Sequence, residues 1–279
     1  MNRYQRGFTR RENRGVEFGA IPAFERSGLV RHGFTTRKGG VSLAPFDSLN
    51  LNRRRGDDPK IVRRNYELMC EAIGVPLEAL VLVNYEHGAR VHRVGLSDRG
   101  KGITRPTDLP KCDGLITDEP GVALLTLHAD CMGVFLLDPV RACIGVCHAG
   151  WKGVAAGMGR SMVRAMAEAF HSEPRDLLCG ISAHIRACCF EVDEPVARVF
   201  SDTFGADAVL EQGGRKPTVD LEACMLASLL GEGVGEANVT VQGECTCCGP
   251  ESYFSHRRDK GRTGSMASVM MLTGNATAQ

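Results

Sequence analysis

Cysteine, histidine and aspartate side chains are concentrated in one stretch of the chain, from Leu124 to Gly157. Asp130 and Cys131 follow a first apolar run, and His148 follows a later one, seventeen residues beyond Cys131. A cysteine and a histidine at the ends of rigid strands can hold a metal ion, or act as nucleophile and base. The pattern also fits a buried cysteine and a histidine that caps a strand, so spacing alone leaves all three open.

Three apolar segments are expected to position these side chains. They are predicted to form strands over Leu124 to Leu127, Val134 to Leu137 and Ala142 to Cys147, because short apolar runs bounded by polar residues are typical of buried strands. Neighbouring strands would bring the cysteine and the histidine together. Beyond the third strand, apolar residues at helical spacing predict one amphipathic helix from Gly153 to Phe170.

The start of this helix predicts a site for an anion. Free N–H groups and the positive end of a helix dipole favour a negative charge, and Lys152 adds a cation there. Gly150 and Gly153 would let a ligand approach the backbone closely. Lys152 could equally point to solvent, so a phosphate site and a solvated lysine both fit the sequence.

The composition is that of an ordinary globular chain of 279 residues, with 43% hydrophobic and 24% charged residues and a net charge of +1. The small net charge favours neither a nucleic acid nor a membrane surface as partner. No apolar run approaches the roughly 20 residues that a membrane-spanning helix needs. Strand-like and helix-like segments mix along the whole chain without a linker, which predicts a single α/β domain.

The N-terminal residues and the cysteines bear on location. Residues 1–25 are predicted to form a basic tail, since the first fourteen residues hold five arginines and one acid and no apolar signal follows. Residues 26–275 would then form the domain. Several of the twelve cysteines lie inside apolar segments, which is typical of reduced, buried thiols, and these are Cys70, Cys143, Cys179 and Cys224. We therefore expect a cytoplasmic protein.

A second group of cysteines lies nearer the C-terminus. Cys245-Thr246-Cys247-Cys248 together with Cys188-Cys189 could form a second, structural zinc site. We interpret the run as lacking the spacing of the usual zinc knuckle, in which two residues separate the cysteines. Buried thiols are therefore the favoured interpretation of these residues.

These motifs resemble the laccase-domain (YfiH-like) family, whose members have been described as multicopper polyphenol oxidoreductases and as purine nucleoside phosphorylases. The resemblance extends from about Gly33 to Leu272. It is carried by Ala129-Asp130-Cys131 and by His148-Ala149-Gly150-Trp151. Supporting matches are FTTRKGGVS, SLNL, GDDP, HGARV, DGLIT, CCFEV, VDL and FSHRRDKGRTG.

The resemblance implies a fold and a set of site residues. The fold is a single-domain layered α/β sandwich of mixed sheets flanked by helices, related in architecture to bacterial deamidating toxins. The implied metal is zinc, held by His87, Cys131 and His148. Ser42 and Asn50 match family residues that line the cleft, although on sequence alone the capping of turns is their favoured role.

The activity that the resemblance implies is zinc-dependent phosphorolysis of purine nucleosides, which converts nucleoside and phosphate to base and sugar 1-phosphate. Adenosine deamination is a second activity of the family. Zinc could activate water for that reaction, with Asp130 moving the proton. The helix start, Lys152 and an arginine would position the phosphate.

Other functions stay open at this point. Cys131 could be the nucleophile of a hydrolase or amidase, with His148 as its base. A copper-dependent polyphenol oxidase is disfavoured, because such enzymes need paired His-x-His ligands and the eight histidines include no such pair. A metal-dependent interaction domain is the non-enzymatic alternative.

The chain departs from the family pattern around these residues. Tyr85 replaces a glutamine, Gly133 a proline, and Lys152 an arginine, which removes a bidentate donor for phosphate. Ser182 begins SAHI in place of GPxI, and Ser265 stands where the TGR motif has its arginine. The expected metal ligands are intact, so these substitutions bear on the substrate rather than on the metal.

Overall fold

Two β-sheets lie face to face between layers of helix in the structure, a computed structural model that describes residues 4–211, 213 and 216–274. The strands are β1 (Gln5–Arg6), β2 (Thr9–Asn13), β3 (Val16–Ala20), β4 (Val30–Thr35), β5 (Leu80–Leu82), β6 (Val91–Arg93), β7 (Gly114–Thr117), β8 (Ala123–His128), β9 (Met132–Asp138), β10 (Cys143–Ala149), β11 (Leu178–Ile181), β12 (Val209–Leu210), β13 (Thr218–Val219), β14 (Val239–Val241) and β15 (Met266–Leu272). The helices are α1 (Pro22–Ser27), α2 (Pro59–Ile73), α3 (Trp151–Ala155), α4 (Met158–Phe170), α5 (Glu194–Phe204) and α6 (Leu221–Gly231).

Both large sheets contain parallel and antiparallel pairs. Over the described residues, the seven-stranded sheet has the order β1-β14-β11-β9-β10-β7-β6 and the six-stranded sheet the order β2-β3-β4-β15-β8-β5. Strands β12 and β13 form a separate antiparallel pair. The three strands predicted around the cysteine and the histidine are confirmed as β8, β9 and β10, but β8 belongs to the six-stranded sheet and the other two to the seven-stranded sheet.

Apolar side chains fill three layers. Phe34 and Phe135 pack between the two sheets. Tyr66 of α2 packs on the outer face of the six-stranded sheet, and Met162 and Leu229 from α4 and α6 pack on the outer face of the other. The predicted single-domain α/β sandwich of mixed sheets flanked by helices is therefore confirmed. The cysteines predicted to be buried in apolar segments are buried and free: Cys70, Cys143, Cys179 and Cys224.

The N-terminal residues belong to the sheets. Strand β1 pairs in parallel with β14, and β2 pairs with β3, which pairs with β4. The basic tail predicted for residues 1–25 is therefore wrong from Tyr4 onward, whereas residues 1–3 and the predicted domain end at 275 lie outside the described residues. Arg10 and Arg11 of β2 are both exposed and pair with Glu17 and Glu25, so this strand lacks the alternation of apolar and polar residues that would have predicted it.

The chain after β10 forms two helices rather than one. Helix α3 ends at Ala155 and α4 begins at Met158, and Gly157 between them has a φ of +82°. A left-handed residue ends a run of helical hydrogen bonds, so the single helix predicted from Gly153 to Phe170 is wrong in its first part. In the described part of the chain, no helix is long and apolar enough to cross a membrane.

Candidate functional site

The β9–β10 hairpin brings Cys131 and His148 together. Cys131 directly precedes β9, and in the antiparallel register His148 lies opposite Gly133. A Cβ added at Gly150 would lie 3.1 Å from Cys131 Sγ and 3.7 Å from His148 Cε1. Gly150 was predicted to leave space for a ligand near the backbone. In the structure, the Cys131 sulfur lies in that space, beside the His148 imidazole.

Asp113 orients His148. Its buried carboxylate places Oδ1 3.3 Å from His148 Nδ1, and Oδ2 accepts the backbone N–H groups of Glu86 at 3.2 Å and Gly88 at 2.8 Å. Burial opposes protonation of His148, but the nearby Cys131 and Asp113 outweigh it and raise the pKa of His148 to about 9. Because Nδ1 faces the carboxylate, Nε2 is left for a metal ion or for the cysteine.

His87 lies on the loop that Asp113 holds. Its ring centroid is 5.5 Å from that of His148, with the two planes perpendicular. The side chain is exposed, and the backbone has a φ of +62°, a region that residues other than glycine seldom adopt. The three expected metal ligands, His87, Cys131 and His148, are thus neighbours, although their ligand atoms do not all lie within 4.8 Å of one another.

Two further rings pack around His148. Tyr85 meets it edge-on with 5.1 Å between ring centroids, and its hydroxyl accepts the Leu127 backbone N–H. The His128 ring centroid is 5.5 Å from that of His148, and its Nε2 lies 2.8 Å from Thr126 Oγ1. Burial, reinforced by His148, lowers the pKa of His128 well below its usual value, so His128 is a neutral packing partner. Tyr85, which stands where the family has a glutamine, thus packs against the imidazole of His148.

Asp130 occupies the crossing between the two sheets, with a φ of +82°. Its Oδ1 accepts a hydrogen bond from Thr246 Oγ1 at 2.7 Å, and its Oδ2 accepts one from the Arg257 backbone N–H at 2.6 Å. The carboxylate therefore joins two distant segments to the residue that precedes Cys131. Each carboxylate oxygen can accept a second hydrogen bond, so these contacts leave Asp130 acceptor capacity.

A cavity of about 430 Å³ opens beside Cys131, within the range of about 300–1,000 Å³ typical of small-molecule sites. Aromatic, apolar and basic groups line it: Ala129, Asp130, Cys131, Trp151, Ile185, Phe190, Leu221, His256, Arg257 and Lys260. Trp151 and Phe190 offer ring faces for stacking. The basic side chains, close to one another in sequence, offer charge for an anion.

Hydrogen bonds fix the basic turn that lines this cavity. Arg257 Nη1 donates to Cys189 O at 3.0 Å, and its guanidinium carbon lies 5.4 Å from the Phe190 ring centroid. Arg258 Nη1 donates to Thr246 O at 2.9 Å. Sequence reasoning missed this turn and Asp113 as site residues, although both lie in quoted motifs, FSHRRDKGRTG and DGLIT.

Lys152 is exposed, with Nζ 5.6 Å from the Trp151 ring centroid. Helix α3 has five residues, so its aligned dipole is small and the predicted anion site at its start loses most of its basis. A Cβ at Gly153 would lie 2.8 Å from Gly88 O, so this glycine makes room for the His87 loop rather than for a ligand.

Ser42 and Asn50 lie in a buried network that anchors the loop after β4. Both donate to Asp57 Oδ2, at 2.7 Å and 2.9 Å. Asn50 Oδ1 accepts the backbone N–H groups of Asn52 at 2.9 Å and Ser265 at 3.1 Å. These contacts fit the turn-capping role of Ser42 and Asn50, and the residues that line the cavity beside Cys131 do not include them.

The sandwich and the residues gathered at its seam define a known class of protein. Residues 31–273 match the family model described as multi-copper polyphenol oxidoreductase laccase, and the chain belongs to that family. The resemblance found in the sequence motifs is thereby confirmed.

Within this family, the similar proteins include several purine nucleoside phosphorylases. The one named YlmD from Geobacillus stearothermophilus is 37% identical over 238 residues, covering 84% of this chain and 87% of its own. YlmD of Bacillus subtilis is 37% identical over 241 residues, covering 85% and 87%. The crystal structure of the Geobacillus protein matches with a TM-score of 0.88 and 34% identity over 95% of this chain and 98% of that one. The YfiH protein of Bacillus licheniformis matches with a TM-score of 0.87 and 33% identity over 94% and 98%.

Proposed function

We propose that this chain is a purine nucleoside phosphorylase that binds a zinc ion through His87, Cys131 and His148. The observation that carries the proposal is the position of Cys131 in the wall of a cavity with aromatic and basic lining, next to a histidine that Asp113 orients. The names of the relatives support the reaction and the substrate class, a purine nucleoside and phosphate.

The donor set suits zinc, which in catalytic sites takes three nitrogen, sulfur or oxygen ligands from the protein. Asp113 stands behind His148 as the carboxylate that fixes the tautomer of a metal-binding histidine. His87 is exposed, so its imidazole can change rotamer to complete the set. Zinc held in this way would supply Lewis-acid chemistry and a coordination position for a substrate atom. Copper oxidase chemistry lacks its usual paired His-x-His ligands in this sequence.

The cavity can hold both substrates. The purine is proposed to stack on Trp151 and Phe190, whose rings line one part of the cavity. The phosphate is proposed to bind Arg257 and Lys260, where a guanidinium and an ammonium meet its oxygens. Lys152 is proposed as a further cation near the metal, since burial, His148 and, to a smaller extent, Lys152 lower the pKa of His87.

The residues then act on the bond between sugar and base. A phosphate oxygen bonds to the sugar C1′, the bond from C1′ to the purine nitrogen breaks, and its electron pair leaves with the purine, which takes up a proton. Asp130 lines the cavity in a fixed orientation and is proposed to pass that proton. The same carboxylate would move the proton of an attacking water in the related deamination of adenosine.

Phosphate-dependent base release tests the proposal. Zinc-loaded protein is incubated with adenosine, inosine or guanosine, with and without phosphate, and the products are separated by chromatography. Free base and sugar 1-phosphate are expected only with phosphate, whereas inosine formed from adenosine without phosphate would indicate the deaminase activity. Nucleosides left untouched under all conditions would end the proposal.

A second candidate function is a Cys-His hydrolase or amidase. It is favoured by one observation: Asp113, His148 and Cys131 follow one another as orienting acid, base and nucleophile. Alkylation of Cys131 by iodoacetamide, followed by mass spectrometry with and without zinc, separates the two functions. The metal-free hydrolase is favoured if zinc protects Cys131 from alkylation and also abolishes amide hydrolysis. It is dismissed if neither the metal-free nor the zinc-loaded protein hydrolyses amides.

We also propose that the protein works in the cytoplasm. The support is its cysteine usage, because all twelve cysteines are free in the structure and free thiols suit a reducing compartment. Fractionation of cells that express the full chain would test this.

A further inference from the structure

Four cysteines from two distant segments lie together near the wall of the cavity. The sulfur atoms of Cys188, Cys189, Cys245 and Cys248 all lie within 4.8 Å of one another. Cys248 Sγ is 3.7 Å from Cys188 Sγ and 3.3 Å from Cys189 Sγ. Among residues 4–211, 213 and 216–274, this is the one group of three or more histidine, cysteine or acidic side chains whose ligand atoms come so close.

The sulfur spacing is that of a thiolate metal site. Zinc–sulfur bonds of about 2.3 Å in a tetrahedron place the sulfurs about 3.8 Å apart. A disulfide needs two sulfurs, whereas four converge here. The fifth cysteine of the region, Cys247, lies outside this group of four sulfurs, although it packs against the same core as Cys189 and Cys245.

The backbone holds the two segments in place without the metal. His184 and Cys245 form a parallel bridge, in which the His184 N–H donates to Glu244 O at 3.3 Å and the Thr246 N–H donates to His184 O at 3.0 Å. The turn that carries the other two sulfurs closes through the Cys189 N–H and Arg186 O at 2.8 Å. The sulfurs therefore meet because the main chain is already paired beside them.

The spacing along the sequence also fits a metal site. Cys245 and Cys248 are separated by two residues, which is the knuckle spacing. The earlier interpretation of the run as lacking that spacing was wrong, because it took Cys247 as part of the pattern. The preference for buried thiols was also wrong, since Cys188 and Cys248 are exposed.

One backbone N–H group and two arginine side chains lie near the sulfurs, where they would favour an anionic cluster of thiolates. The Arg186 backbone N–H points at Cys245 Sγ at 3.5 Å. Arg257 and Arg258 donate to the carbonyl oxygens of Cys189 and Cys247, at 3.0 Å and 3.3 Å, so a guanidinium group is held on the backbone of each of the two turns.

We propose that Cys188, Cys189, Cys245 and Cys248 bind a second metal ion, a tetrahedral structural zinc. Four thiolates fill the tetrahedron and leave no position for a substrate, so the role is structural. The ion would join the segment that ends at Phe190 to the segment that contacts Arg257 and Arg258. Because Phe190 and Arg257 line the cavity, this zinc would hold one of its walls.

Metal counting tests the site with a matched pair of variants. Zinc per chain is measured by native mass spectrometry in the full-length protein with Cys248→Ser and with Cys247→Ser. One zinc fewer per chain is expected in Cys248→Ser than in Cys247→Ser. Cys248→His retains a zinc ligand and should keep the metal, which separates loss of a ligand from loss of the fold. Equal zinc contents in Cys248→Ser and Cys247→Ser would overturn the proposal.

Cobalt substitution distinguishes this site from the one at Cys131. In the Cys131→Ser background, cobalt(II) should still give the charge-transfer absorption of a tetrahedral thiolate site, and adding Cys188→Ser should abolish it. The proposal would be contradicted by iron bound in place of zinc. It would also be contradicted by a disulfide between two of these cysteines in protein purified under reducing conditions. Neither measurement depends on nucleoside turnover, so a failed activity assay leaves this inference standing.

Discussion

Two groups of side chains come together from distant parts of the chain in different ways. One consists of His87, Cys131 and His148, and the other is the cluster of four cysteines. In the first group, a β-hairpin fixes two members and a buried carboxylate orients the imidazole, while the cavity reaches the sulfur. In the cluster, four sulfurs on two turns close on one another. The open site thus uses rigid strands and an orienting partner, whereas the closed group is built on two turns whose main chains are paired beside the sulfurs.

The largest expected effect comes from removing the open site alone. Cys131→Ala should lower phosphate-dependent base release by on the order of 1,000-fold or more, because it deletes one of the three proposed ligands of the catalytic metal. Cys247→Ala, in a residue outside both groups, is the control and should stay near the unmodified rate. The kcat/KM for inosine checks this, and comparable rates in the two variants would break the comparison.

Asp113→Asn tests the orienting carboxylate that the cysteine cluster lacks. An asparagine cannot supply the negative charge behind His148, so zinc affinity or activity should fall about 10- to 100-fold. Asp118→Asn, in an exposed partner of Arg93, is the matched control. Chelator competition measures the affinity, and equal zinc affinity in both variants would show that the carboxylate does not matter.

A pH series separates acid release of metal from acid unfolding. Burial, opposed by Glu25, lowers the pKa of His32 to about 4 from about 6.5. His32 in the folded protein resists protonation. Its contribution to the free energy of unfolding is therefore fully present above pH 6.5, declines as the pH falls towards 4 and changes no further below that. The expected loss between pH 7 and pH 5 is about 2 kcal/mol, or roughly 30-fold in the folding constant.

Urea unfolding of metal-free protein at the two pH values measures this loss. His32→Gln keeps an acceptor for the Ile21 N–H, which now donates to His32 Nε2 at 2.8 Å, but it cannot be protonated in this range. It should lose markedly less stability on acidification than His92→Gln. A pH dependence identical in these two variants would rule out His32 as the cause.

The smallest expected effect comes from crowding the open site. Gly150→Ala places a methyl group 3.1 Å from Cys131 Sγ and should weaken zinc binding by about tenfold or less, since the sulfur must shift. Gly231→Ala, at the end of α6 with no atom within 4 Å of its added Cβ, should stabilise the fold by about 0.5–1 kcal/mol without touching the metal. Isothermal titration with zinc compares them, and unchanged affinity in Gly150→Ala would contradict the close approach.

The sequence predicted the open site better than the closed one for a physical reason. Apolar runs mark strands, and strands that follow each other within a few residues pair as hairpins, so Cys131 and His148 could be placed together from local patterns. Asp113 could not be assigned because the paired residues of β7 and β10 are 27 to 33 positions apart in sequence, a pairing that tertiary packing decides.

The cysteine cluster was considered as a zinc site but not favoured, and the N-terminal strands were missed, for related reasons. Cys189 and Cys248 are 59 residues apart in sequence, and a backbone bridge brings their segments together. The hydrophobic pattern of the sequence does not predict that bridge. In β2, Arg10 and Arg11 are both exposed, so the sequence shows no apolar alternation and predicts a charged tail. In the structure they pair with Glu17 and Glu25.

The Asp130 carboxylate connects the cysteine cluster to the site at Cys131. Asp130 accepts the hydroxyl of Thr246, which lies between Cys245 and Cys247, and is covalently joined to Cys131. A displacement of the turn that carries these cysteines would therefore be transmitted through this hydrogen bond to the backbone next to Cys131. The protein would then lose its activity through a small misalignment, long before any strand came apart.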